Sequence, residues 1–116
     1  MATAKKHLLV ECKNARDDDY RKGGAVTAYK VEIQKTRAAK SDPSSRYYPA
    51  GYFHILAVCL GKKTGNWGDF LFAKTEDLAG HPTYVGKLAV MQRVPLPTSA
   101  DISPWYRSLG ELLAAL

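Results

Sequence analysis

The stretch YFHILAVCL, residues 52–60, is apolar at almost every position. Its length and its aromatic and β-branched side chains are typical of a strand, and a strand without polar alternation is buried on both faces. A turn-forming stretch, GKKTGNWG at 61–68, follows it, and DFLFAK at 69–74 is a second apolar run. The sequence therefore predicts a central β-hairpin.

Two further strands and two polar loops are predicted around this hairpin. HLLVEC at 7–12 is short and aliphatic, and KLAVMQRV at 87–94 ends before prolines, which cannot donate to a sheet. NARDDDYRKGG at 14–24 is polar and is interpreted as a loop with a flexible tip at its two glycines. Residues 44–51 are interpreted as a second loop.

The segment AVTAYKVEIQKTRAAK, residues 25–40, fits two kinds of secondary structure. Tyr29, Val31 and Ile33 alternate with polar residues, which indicates a strand. A stripe at helical spacing that includes Val26 and Ile33 indicates a helix instead. The length, the alanine pairs and a proline shortly after the segment favour the helix.

A second helix is predicted at the C-terminus. Ser103 and Pro104 form a favourable N-cap and first-turn pair for a helix over 103–116. The residues that this helix is expected to bury are Trp105, Leu109, Leu112, Leu113 and Leu116. A short helical turn is also expected at 75–78.

The length and the element order predict one α/β domain over residues 1–116, with its core within 7–95. The 116 residues suffice for one hydrophobic core. No apolar run reaches the roughly 18 residues that a membrane helix needs. The two cysteines, Cys12 and Cys59, lack metal-ligand spacing and are expected as reduced core residues. A cytoplasmic protein is therefore expected.

The charge balance favours a polyanionic partner. Lys and Arg number 17 against 11 Asp and Glu, which gives a net charge of +6. Basic domains often bind nucleic acid, because each cation at a phosphate releases a condensed counterion. Surface charges that only keep the protein soluble would give the same net charge. Other features must therefore agree before DNA is assigned as a partner.

Glu11 and Lys13 are the strongest candidates for chemistry. Residues two apart in a strand project from the same face, so the two side chains are expected side by side. A carboxylate is a ligand that Mg²⁺ prefers, and an ammonium can position an attacking water and stabilise the charge that grows on phosphorus. A surface Glu–Lys pair at a strand end has the same sequence, so the triplet alone leaves both readings open.

The order of motifs resembles the PD-(D/E)xK nuclease superfamily, which has the restriction-endonuclease-like fold. LLVECK at 8–13 is similar to its E-x-K strand, YKVEIQKTR at 29–37 to the helix that follows, and YFHILAVCL at 52–60 to the next central strand. The resemblance spans 8–94. It implies an α/β fold in which a mixed sheet is flanked by helices.

The resemblance also implies a role for each matching residue. Glu11 would ligate Mg²⁺, and the carbonyl of Cys12 would be a further metal ligand. Lys13 would position the attacking water or stabilise charge. Gln34 would support the site or contact the substrate backbone.

The chain departs from the superfamily upstream of Glu11. The superfamily carries an Asp, its other principal metal ligand, on the strand before E-x-K, and MATAKKHLLV contains no acid. The helix that normally precedes that strand is missing as well. Asp17, Asp18 and Asp19 follow the motif and are expected in a solvated loop. Three explanations stay open: a fragment of a longer nuclease, a site completed by another subunit such as a second copy, or a relative that binds nucleic acid without cutting it.

Basic residues of the predicted 25–40 helix and of the preceding loop are the expected nucleic-acid contacts. On a helix, Lys30, Gln34, Arg37 and Ser41 would share one face. Such residues contact phosphates and set affinity rather than sequence choice. The predicted contacts are Arg21, Lys22, Lys30, Lys35, Arg37 and Lys40.

The sequence therefore predicts a Mg²⁺-dependent nuclease domain that acts on DNA phosphodiester bonds. This domain is expected to be part of a longer chain or of an oligomer. With one carboxylate the metal would be held weakly, so little activity is expected from this chain alone. The alternative is a non-catalytic nucleic-acid-binding module or a degenerate nuclease relative. A protein-interaction domain, whose charges only confer solubility, is the third class.

Overall fold

The computed structural model describes residues 7–34 and 41–116. These residues form a mixed α/β structure with short helices. Its strands and helices are β1 (Val10–Asn14), β2 (Asp19–Lys22), β3 (Ala25–Glu32), β4 (Ile55–Cys59), α1 (Gly61–Thr64), β5 (Phe70–Lys74), β6 (Met91–Pro95) and α2 (Leu109–Ala114). Two 3-10 turns lie at Pro43–Arg46 and Thr75–Asp77.

The strands form two three-stranded sheets, ordered β1-β4-β5 and β2-β3-β6. In the first sheet β1 runs parallel to β4, and β4 runs antiparallel to β5. All pairs of the second sheet are antiparallel. Both sheets contribute to one hydrophobic cluster, through Leu56 and Leu71 from the first and Val31 and Val94 from the second. The core therefore lies between the two sheets.

The central hairpin is confirmed. Every residue of β4 is buried, as expected for an apolar strand without alternation. Its partner β5 returns antiparallel to it, and α1 forms part of the turn between them. Gly65, with φ 81°, caps α1 in the left-handed region that glycine adopts without steric cost. The helical turn expected at 75–78 is also present, as Thr75–Asp77.

The prediction of a helix over 25–40 is wrong for residues 25–32, which form β3. The alternation was the informative signal: Val31 and Ile33 are fully buried in the core, and Tyr29 packs against it. β3 is also the central strand of its sheet, so β2 and β6 satisfy its backbone on both sides. Residues 35–40 lie outside the described part of the chain.

The prediction of a loop over 14–24 is wrong for residues 19–22, which form β2. β2 and β3 are joined by a two-residue turn, Gly23 and Gly24, with Lys22 opposite Ala25. The two glycines have φ 58° and 82°, and positive φ at both central residues defines the type I′ turn that suits hairpins. The glycine pair was therefore a hairpin signal rather than a flexible tip.

The two outer strand predictions are correct in kind but displaced along the chain. β1 begins at Val10 rather than residue 7 and continues to Asn14. β6 begins at Met91 rather than residue 87. Lys87 and Leu88 take part only in isolated bridges, to Pro49 and Gly80.

The C-terminal helix starts later than predicted. Ser108, not Ser103, is the N-cap: its hydroxyl accepts a hydrogen bond from the Glu111 amide at 3.0 Å, and α2 begins at Leu109. Trp105 and Leu112 are buried as expected. Leu113 and Leu116 are 42% and 65% exposed, so their predicted burial is wrong. Within 7–34 and 41–116, no helix has the length and apolarity to cross a membrane.

Candidate functional site

The acid and the amine of the E-x-K triplet lie side by side, as predicted. Lys13 Nζ is 3.6 Å from Glu11 Oε1, and the two side chains are 30% and 31% exposed. Their register partners on β4 are Leu56 and Val58, which belong to the core cluster. The pair therefore projects on the core-facing side of the first sheet, at the sheet's edge.

Tyr48 lies close enough to Glu11 for the carboxylate charge to act on its hydroxyl, and Tyr52 lies beside Tyr48. Burial raises the pKa of the Tyr48 hydroxyl, and the negative charge of Glu11 raises it further. The Tyr48 ring lies 5.3 Å from the ring of Tyr52 and 5.5 Å from that of Phe53. Tyr48 is buried, whereas Tyr52 is 52% exposed. The acid thus stands beside an aromatic surface that the sequence did not assign to the site.

The two cysteines differ, and the prediction that both are core residues is wrong for Cys12. Cys12 is exposed, and it points to the opposite face from Glu11 and Lys13. Cys59 is buried and donates from its thiol to the Trp67 carbonyl at 3.7 Å.

Gln34 lies just after β3 rather than on a helix. Its side-chain amide donates to Glu32 at 2.8 Å. Arg16 donates to the other carboxylate oxygen of Glu32 at 2.6 Å and to Asp18 at 2.7 Å, and Lys30 donates to Asp18 at 3.2 Å. These five side chains form the Arg16 network. Gln34 is therefore engaged with Glu32 in a structural ion-pair cluster.

Two of the three acids that follow β1, Asp18 and Asp19, are engaged with cations. Asp18 belongs to the Arg16 network. Asp19, whose side chain is only 8% exposed, is 2.8 Å from Arg21 and 3.1 Å from Lys63. Hydrogen bonds from Arg21 and then Lys63 lower the pKa of Asp19. The Lys63 contact joins the β2–β3 hairpin to α1, so the expectation of a solvated loop is wrong for Asp19.

The Arg16 network predicts a loss of stability in acid. The hydrogen bond from Arg16, and after it the one from Lys30, lowers the pKa of Asp18 from 3.8 to about 2. A pKa lowered by folding contributes stability above the unfolded value and loses it as the pH falls. Asp18→Asn should therefore lower the melting temperature at pH 5, and this difference from wild type should vanish near pH 2. Thermal unfolding of both proteins from pH 5 to pH 2 measures it, and a difference that stays constant would contradict this assignment.

The predicted nucleic-acid contacts do not form one helical face, because Lys30 lies on β3. Its ammonium is 4.8 Å from the centroid of the Tyr20 ring, and it pairs with Asp18. Arg21 pairs with Asp19, while Lys22 is exposed at the hairpin end of β2. Lys35, Arg37 and Lys40 lie outside the described residues.

Arg93 is an exposed cation that the sequence prediction omitted. Its guanidinium lies 4.8 Å from the centroid of the Tyr20 ring, and it lies opposite Lys30 in the sheet. Cross-strand pairing, which single-sequence spacing does not reveal, places it there. The second sheet thus carries two basic side chains, Lys30 and Arg93, against the Tyr20 ring.

A ready-made metal centre is not found in the described part of the chain. No group of three or more His, Cys, Asp or Glu side chains is clustered there so as to hold a metal ion. Glu11 is the acid that faces Lys13, and Asp18 and Asp19 are paired with the cations Arg16, Arg21, Lys30 and Lys63. A divalent metal at Glu11 would need ligands from elsewhere.

Comparison of the chain with protein-family models, with curated proteins and with solved structures finds no match. Fold and site therefore define the class at a coarse level. The chain is a mixed α/β protein whose described residues form two three-stranded sheets, with an acid–amine pair at the edge of the first sheet.

Proposed function

We propose that the chain carries the E-x-K strand of a Mg²⁺-dependent, restriction-endonuclease-like nuclease that hydrolyses DNA phosphodiester bonds. The observation that supports this most is the geometry of Glu11 and Lys13, 3.6 Å apart and both partly exposed. The parallel pairing of β1 with the buried strand β4, followed by antiparallel β5, also agrees with the order of strands in the resemblance.

In this mechanism each residue of the pair has one role. The Glu11 carboxylate would ligate Mg²⁺, which supplies Lewis-acid activation of water and charge neutralisation at the phosphate. The Lys13 ammonium would orient the attacking water and stabilise the negative charge that develops on phosphorus. A second carboxylate from outside the described residues would complete the metal site, so the isolated chain would cleave slowly.

A non-catalytic nucleic-acid-binding module is the second candidate. It is favoured by the net charge of +6 together with the lack of a ligand cluster in residues 7–34 and 41–116. Its affinity for DNA would fall steeply with salt, because phosphate contacts release counterions.

Nicking of supercoiled plasmid with and without Mg²⁺ tests the nuclease proposal. We expect Mg²⁺-dependent nicking that Glu11→Ala and Lys13→Ala each reduce at least tenfold, in line with the usual contribution of a positioned acid–base or charge-stabilising group. Glu76→Ala, which removes an exposed carboxylate elsewhere, is the matched control and should leave nicking unchanged. Salt-sensitive binding without cleavage would instead support the binding module, and cleavage unaffected by both substitutions would refute the assigned site.

A further inference from the structure

The outer edge of β1, on the side away from β4, has no strand partner among the described residues. β1 pairs with β4 on one side, and the sheet order ends there. An unpaired strand edge presents a row of backbone donors and acceptors to any other strand. Which groups these are follows from the β1–β4 ladder.

The hydrogen bonds to β4 define which β1 backbone groups point outward. The Leu9 carbonyl accepts from the Ile55 amide at 3.2 Å, and the Ala15 amide donates to the Cys59 carbonyl at 3.0 Å. Strand residues alternate in the direction of their N–H and C=O groups. The backbone groups of the odd-numbered residues of β1 therefore hydrogen-bond to β4. The backbone groups that point away from β4, toward the free edge of the sheet, are those of Val10, Cys12 and Asn14.

The other sheet edges carry features that natural proteins use to block strand addition. The free side of β5 is covered, since Phe72 exchanges backbone hydrogen bonds with Tyr106 at 2.9 and 2.8 Å. β2 has a register shift between Tyr20 and Arg21, and β6 ends in Pro95. In the described residues β1 has no bulge and no proline, and β3 approaches its free side near the C-terminal end, where the Arg16 amide donates to the Lys30 carbonyl at 2.8 Å.

The side chains of β1 are complementary to a second copy of themselves. In an antiparallel pair centred on Cys12, Glu11 of one copy lies opposite Lys13 of the other, and Val10 lies opposite Asn14. A shift of the centre to Glu11 or Lys13 would place like charges opposite each other, which is destabilising. Exposed apolar residues also flank this edge: Leu8, Leu9 and Val10 are 36%, 58% and 42% exposed.

We propose that β1 is a two-fold interface through which two copies of the chain form a dimer. β1 of each copy pairs antiparallel with β1 of the other, with Cys12 opposite Cys12. The β1-β4-β5 sheets of the two copies thereby become one continuous sheet. The dimer does not depend on nuclease activity. If the proposed nuclease function also holds, the dimer brings Glu11 of both copies onto one face at the diagonal spacing of about 7–8 Å, where two carboxylates can share a metal.

Charge reversal tests the register. In sedimentation velocity experiments over a range of concentrations, the wild-type chain should show a monomer–dimer equilibrium. Glu11→Lys and Lys13→Glu should each weaken dimerisation about tenfold, because every attractive cross-strand pair becomes repulsive. The double swap, Glu11→Lys with Lys13→Glu, should restore the wild-type equilibrium, because opposite charges again face each other.

A thiol crosslink tests the position of the two-fold axis. Paired Cα atoms at hydrogen-bonded sites lie about 5.5 Å apart, so a short bis-alkylating reagent should join Cys12 of the two copies. We expect a covalent dimer for wild type and for Cys59→Ser, whose thiol is buried, and none for Cys12→Ser. A chain that stays monomeric, a dimer insensitive to charge reversal, or a dimer without the Cys12 crosslink would each overturn the proposal. A wild-type chain that dimerises as described but shows no Mg²⁺-dependent nicking would instead count against the nuclease function alone.

Discussion

Gln92→Leu is expected to destabilise the protein by about 1–3 kcal/mol, the usual cost of leaving buried backbone polar groups unpaired. Gln92 is a polar residue buried in the core, 3% exposed. Its amide oxygen accepts from the Ala79 amide at 2.8 Å, and its amide nitrogen donates to the carbonyls of Ala79 and Ala89, both at 2.9 Å. Leucine has similar volume but can pair with none of these groups.

Gln34→Leu is the matched control, since it makes the same chemical change at the chain's other glutamine. Gln34 is only partly buried and bonds a side chain that Arg16 also holds, so we expect a change within about 0.5 kcal/mol. Urea unfolding at constant m-value measures both variants. Equal effects would show that the hydrogen bonds of Gln92 do not carry the stabilisation.

Gln92→Glu provides a pH-dependent readout of the same hydrogen bonds. An ionised carboxylate can accept from Ala79 but cannot donate to the two carbonyls. Burial therefore raises the folded-state pKa of the introduced acid above its unfolded value. Stability linked to a raised pKa is present at low pH and lost as the pH rises, so this variant should approach wild-type stability near pH 4 and fall below it at pH 8.

Local patterns predicted those elements whose packing is decided by nearby residues. β4 is an uninterrupted apolar run, and the hairpin to β5 follows from the turn residues between them. The E-x-K geometry was equally predictable, because a period of two places Glu11 and Lys13 on one face of any strand. These predictions needed no knowledge of distant contacts.

The segment at 25–32 was misassigned because tertiary context decides between its two patterns. Its alanines favour a helix as an isolated peptide, whereas pairing with β2 and β6 and burial of Val31 stabilise a strand. The Gly23–Gly24 turn is a local signal for that hairpin, and it outweighs the length of the segment. Arg93 lies against Tyr20, and Tyr48 lies near Glu11. Both contacts join residues that are distant in sequence, and hydrophobic periodicity does not predict such contacts.

Gly61→Ala is expected to destabilise the protein by about 1–3 kcal/mol, the range for overpacking. A Cβ at this position would lie within 2.5 Å of two Trp67 ring atoms and 3.0 Å from the Trp67 Cα. Because one of these atoms is backbone, rotation of the indole alone cannot relieve the contact. The turn between β4 and β5 would have to move, and with it Lys63, which joins α1 to Asp19.

Gly110→Ala is the control for the intrinsic effect of replacing a helical glycine. It lies in α2 with no atom within 4 Å of the position that its Cβ would take. This substitution should stabilise the protein by about 0.4–1 kcal/mol, because alanine reduces the entropy of the unfolded chain. The second test combines Gly61→Ala with Trp67→Ala. If ring overlap causes the loss, the double variant should be more stable than the sum of the single effects predicts. Additive effects would instead locate the cost of Gly61→Ala in the backbone, away from the indole.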